Sequence, residues 1–153
     1  MTINEVVSYM IAGSILLLAF LLIINPLNTN KKGNFYFGIF LLVWSTFWLD
    51  ESISLQDFKY RFYFIIFKGL IQFSTPLFFY LGIKFYTNTY FNIRKKLPTL
   101  LIFPSIYCLI LIYINNSTNV VLQKIPTIII IINALFYTIL AFFSLNKHQK
   151  NIE

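Results

Sequence analysis

The chain has 153 residues, 58% of them hydrophobic and only 11% charged, with a formal net charge of +7. A water-soluble domain carries about 25% charged residues, so the composition excludes an ordinary soluble enzyme and makes one small membrane domain, spanning 1–153, the natural class. Most of the basic residues flank apolar blocks, which assigns them to membrane topology and anionic headgroups rather than to nucleic acid.

The first apolar block covers 6–25. Its upstream flank carries Glu5 and no basic residue, and no small-residue cleavage site follows, so it reads as a retained anchor rather than a signal peptide. Ala12, Gly13 and Ser14 form a small-residue patch where another helix can approach closely. Asn25-Pro26 ends the block, because the residue before proline leaves the helical region. A polar turn, 28–34, leads to the short second block, 35–49, with Trp44 and Trp48 one turn apart near its far end, as interfacial aromatics are placed.

The segment 50–61 is mixed in charge and reads as a solvated surface turn. The third block, 62–86, is the longest polar-striped span. Lys68 and Lys84 stand roughly 24 Å apart along a helix at about 1.5 Å per residue, close to a hydrocarbon core of roughly 30 Å. Their stems can reach the two water interfaces. Lys68, Gln72 and Thr75 share one helical face. Pro76 removes a backbone donor near the middle, and Ser74 and Thr75 can occupy carbonyls freed nearby.

Arg94-Lys95-Lys96 precedes the fourth block, 97–114, in which Pro98 suits a first-turn position and Pro104 is interior. The polar run 115–119 is a loop. The fifth block, 125–145, opens with Pro126 and contains an unbroken isoleucine run at 128–132; its full length makes it a helix rather than a strand.

Placed on alternate sides, Lys31, Lys32, Lys84, Arg94, Lys95, Lys96, Lys147 and Lys150 share one face. Lys59, Arg61, Lys68 and Lys124 share the other. The larger group belongs in the cytoplasm. The expectation is an all-α polytopic bundle of five transmembrane helices in a bacterial inner membrane, with the N-terminus outside and the C-terminus cytoplasmic.

No catalytic arrangement is present: there is no H-E-x-x-H, no G-x-S-x-G and no Walker-type loop. One histidine (His148) and one cysteine (Cys108) exclude most soft-ligand metal sites. No acidic residue lies inside an apolar block, which argues against a carboxylate proton relay. No enzyme activity, cofactor or metal is expected. What remains is a polar layer: Ser14, Ser45, Thr46, Gln72 and Asn133 lie roughly 3–6 Å to the outer side of their helix midpoints. Tyr137 is one turn below Asn133, and Lys68 lies above Gln72. These residues predict either an outward-facing pocket for a small ligand with Lys68 at its mouth, or interhelical hydrogen bonds that serve packing, worth about 0.6 kcal/mol each.

The hairpin Asn30-Lys31-Lys32-Gly33-Asn34, the sequence Thr75-Pro76-Leu77-Phe78-Phe79-Tyr80 within the third span, Arg94-Lys95-Lys96 and Phe103-Pro104 together resemble one bacterial group. It is the membrane-embedded N-terminal half of AraC-type helix-turn-helix regulators. The resemblance covers roughly 6–150 and implies a sensor-like or interaction module. No DNA-reading residue carries over and no helix-turn-helix unit is expected within 1–153, so direct nucleic-acid binding is not expected. Implied partners are the lipid bilayer, a second copy of the chain or a related full-length regulator. The alternative is a small transporter or channel subunit, against which stands the absence of visible inverted repeats.

Overall fold

The computed structural model describes residues 3–25, 29–49, 61–88, 90–115, 122 and 124–150. Five helices are delimited among them: α1 (Ile3–Ile24), α2 (Lys31–Leu49), α3 (Arg61–Thr87), α4 (Ile93–Asn115) and α5 (Ile125–Lys150). The acidic part of the mixed-charge segment, 50–60, and the polar run 116–119 lie outside the described residues.

Each apolar block became a helix, but several helices run past their blocks. The polar turn expected at 28–34 is shorter, because Lys31 to Asn34 already form the first turn of α2. Likewise Arg94-Lys95-Lys96 belong to α4 rather than to the loop before it. Pro98 is therefore interior to α4 and not in its first turn. Pro126 does stand at the start of α5. Hydropathy marks the part of a helix suited to lipid, whereas a cap marks where the backbone begins to coil. The caps are asparagines. Asn30 Oδ1 accepts the Gly33 amide at 3.0 Å, and Asn92 Oδ1 accepts the Arg94 amide at 3.1 Å.

Consecutive helices alternate in direction. Ala19 and Ile23 of α1 meet Gly38 of α2, while Ser8 lies by Trp44 and Trp48. Asn30 at the start of α2 reaches Phe85 near the end of α3. Phe73 of α3 stacks on Tyr107 of α4 with ring centroids 4.3 Å apart, and Gly69 meets Leu111. Phe73 also meets Asn133, and Lys84 meets Ser144, so α3 and α5 run the same way. The basic residues of the larger sequence group are thereby gathered at one end of the bundle. α3 is the centre, packed on α2, α4 and α5, while α1 lies chiefly on α2.

The small-residue patch of α1 is used differently from expectation. Gly13 and Ser14 face outward, and the packing residues are Ala12 and Ala19, both buried. Ala19 packs at Gly38, where an added Cβ would press on Ile23 Cγ1 and lie 3.0 Å from the Ala19 carbonyl oxygen.

The exposed surface of this bundle is largely apolar, unlike that of a water-soluble protein, and several polar residues lie in its interior. Asn25, Asn34, Ser45, Gln72, Thr75 and Asn133 are buried, while Leu17 is 65% exposed and Leu109 is 68% exposed. Continuous apolar surface of this kind is costly in water, and buried polar groups bonding between helices are the pattern of membrane bundles. α1, α3 from Tyr63 onward, and α5 are long and apolar enough to cross a bilayer. α4 carries a shorter apolar run, Leu100–Ile114, and α2 opens on Lys31 and Lys32. Among the described residues the secondary structure is all helical, and it is compatible with a membrane bundle.

Candidate functional site

α2 and α5 pack on different sides of α3 and leave a groove between them, with α3 as its floor. The groove has a volume of about 420 Å³. Phe40, Trp44 and Phe47 line it from α2. Gln72, Thr75, Pro76 and Phe79 line it from α3, and Ile130, Ala134 and Thr138 from α5. Its walls are mainly aromatic and aliphatic, as in sites for small apolar molecules.

Hydroxyls in and around the groove are bonded to their own helices. Thr75 Oγ1 donates to the Ile71 carbonyl at 3.3 Å, and Thr138 Oγ1 to the Ala134 carbonyl at 2.8 Å. Ser74 Oγ donates to the Leu70 carbonyl at 2.8 Å. Thus Ser74 and Thr75 serve carbonyls in the preceding turn, not the Gln72 carbonyl that Pro76 deprives of its donor. The Gln72 side chain is 9% exposed, and among the described residues nothing hydrogen-bonds to its amide. A buried amide without partners costs roughly 1–3 kcal/mol, so a molecule supplying a hydrogen bond there recovers that energy.

The predicted polar layer does not converge as a whole on this groove. Gln72 lines it. Asn133 is turned into the α3–α5 interface, where Nδ2 donates to the Phe73 carbonyl at 2.8 Å. Tyr137 packs with Leu77 and Leu81 in the same interface. Ser45 and Thr46 donate to the Leu42 and Val43 carbonyls of their own helix at 2.7 and 2.6 Å. Ser14 stands on the outer face of α1 and donates to the Met10 carbonyl at 2.8 Å. Lys68 is half-buried on α3, one turn before Gln72, and is not among the groove-lining residues. Helical spacing could place these groups at one depth; it could not fix the rotation of each helix about its axis, and rotation decides which of them meet.

A second polar assembly lies at the opposite depth, where the α1–α2 connection meets the end of α3. Asn34 Nδ2 donates to Asn25 Oδ1 at 2.7 Å and to Thr29 Oγ1 at 3.2 Å. Tyr86 donates its hydroxyl to Asn34 Oδ1. Asn25 Nδ2 donates to the Thr29 carbonyl at 2.6 Å. Asn25 also takes a left-handed backbone, φ 48°, a conformation that asparagine tolerates better than most residues. Sequence reasoning read this stretch as a plain turn. The asparagine density was the available signal, since each one offers a donor and an acceptor.

No family model, curated protein or solved structure matches the chain.

Proposed function

We propose that the chain is a non-enzymatic, sensor-like module of a bacterial inner membrane, crossing it five times with its C-terminus in the cytoplasm. The observation that carries the sensor reading is the buried Gln72 amide, without a hydrogen-bond partner among the described residues, on the floor of the groove beside Pro76. Its ligand is a small, mostly apolar molecule with one hydrogen-bonding group. The floor helix carries the proline, so occupancy acts on the helix that holds α2, α4 and α5 together. The five-span count is supported by the alternating helix directions and by α2, whose 19 residues extend about 28 Å at 1.5 Å per residue. The orientation is supported by the basic residues gathered at one end. The resemblance to the membrane part of AraC-type regulators, carried by Thr75-Pro76 and its flanking motifs, supports the sensor role and pairing with related full-length regulators.

Trp44 reports on the groove directly. In a Trp48→Phe background, ω-bromododecanol should quench Trp44 fluorescence saturably, and several-fold more tightly than bromododecane, because one satisfied hydrogen bond is worth about 1 kcal/mol. Gln72→Leu should erase the preference for the alcohol. Linear quenching by both compounds, unchanged by Gln72→Leu, would rule the ligand site out.

A further inference from the structure

We propose a second site: the cleft at the basic end of the bundle binds the phosphate headgroup of an anionic phospholipid. This cleft has a volume of about 960 Å³ and shares no lining residue with the groove. Lys31 and Lys32 enter it from the first turn of α2, and Arg94 from the first turn of α4. Cations from two helix starts therefore face one space.

Nothing described near them neutralises these charges. Glu5 is the only acidic residue among the described residues, and it sits in the first turn of α1, at the other end of the bundle. Lys32 Nζ stands 5.7 Å from the centre of the Phe85 ring. A ring face attracts a cation without discharging it, so the ammonium is positioned and keeps its full demand for an anion. Phe85 is itself fixed by stacking on Tyr36, with centroids 5.2 Å apart and planes 6° from parallel. The start of α4 opens on the same space, and a helix N-terminus adds partial positive charge.

The apolar rim points to a lipid rather than a free anion. Ile24 and Phe35 line the cleft and are also exposed on the outside of the bundle. They lead from the cations to the apolar flank of α1 and α2, where acyl chains of a headgroup held by Lys32 and Arg94 would lie. Basic pockets between helices on the cytoplasmic side suit such headgroups.

The test is native mass spectrometry of the full chain in detergent with equal amounts of phosphatidylglycerol and phosphatidylcholine. Wild type should retain one phosphatidylglycerol with about thirtyfold preference, given roughly 1 kcal/mol for each of Lys32 and Arg94. Lys32→Gln with Arg94→Gln should reduce that preference to none, while Lys147→Gln with Lys150→Gln, at the same end but outside the cleft, should preserve it. Should the cleft pair fail to fold, Arg94→Gln alone, at an exposed position, should cut the preference about fivefold. Equal retention of both lipids by wild type overturns the proposal, as does an equal loss in the two double variants. Displacement of the lipid by an equal concentration of glycerol phosphate overturns it too, in favour of a soluble phosphate ligand.

Discussion

The side chain of Asn30 joins two helix ends: while its oxygen caps α2 at the Gly33 amide, its Nδ2 donates to the Phe85 carbonyl of α3 at 2.9 Å. A short polar side chain thus fixes where α2 starts relative to where α3 finishes. Asn30→Ser keeps an N-cap oxygen but is too short to reach Phe85, and should cost about 1 kcal/mol. Asn30→Ala loses the cap as well and should cost about 2 kcal/mol. Equilibrium unfolding in mixed SDS micelles measures both. Equal losses for the two variants would contradict the double role.

Asn133 plays a comparable part at mid-depth. Its bond to the Phe73 carbonyl lies within one turn of Pro76, where the α3 ladder already lacks an amide donor. Asn133→Leu should destabilise the bundle by about 0.6 kcal/mol, with roughly 1.7 kcal/mol as the upper end for such bonds. The same unfolding assay applies. A stabilised variant would show that this amide is held for something other than packing.

How far the sequence was legible follows from what each signal reports. Long, predominantly apolar runs located α1, α3 and α5 well, because solvation in lipid depends on composition. The start of α2 at Lys31 was missed by several residues, because the cap at Asn30 rather than hydropathy sets it. Gln72 was singled out for its place on a polar face, and it does line the groove. Its supposed companions Ser14 and Thr46 bond to their own helices, which spacing cannot reveal. The cleft walls, Tyr36 against Phe85, join residues far apart in the chain, and no local pattern links them.

Close approach of α1 and α2 makes a contrast between two glycines. At Gly38 a Cβ would press on Ile23 and the Ala19 backbone, whereas at Gly13 nothing among the described residues lies within 4 Å. Gly38→Leu should therefore destabilise the hairpin by about 1–3 kcal/mol, and Gly13→Leu should change stability by less than about 0.5 kcal/mol. Similar effects at both positions would mean that α1 packs through a different face.

The network at the base of the hairpin should behave as a unit. Tyr86→Phe removes the donor to Asn34 and should cost about 1 kcal/mol. Asn34→Ala also removes the amide donor to Asn25 Oδ1 and should cost more. In a double-mutant cycle, the two changes should couple by about 0.5–1.5 kcal/mol. Strict additivity would show that Tyr86 and Asn34 are not bonded.

Sidedness of the two ends is the most direct measure of an odd number of crossings. In a Cys108→Ser background, Asn4→Cys and Gln149→Cys both place a thiol at an exposed position. A membrane-impermeant maleimide applied to spheroplasts should label Asn4→Cys at once and Gln149→Cys only after lysis. Labelling of both from the same side, or recovery of the chain in the soluble fraction, would contradict the five-span bundle.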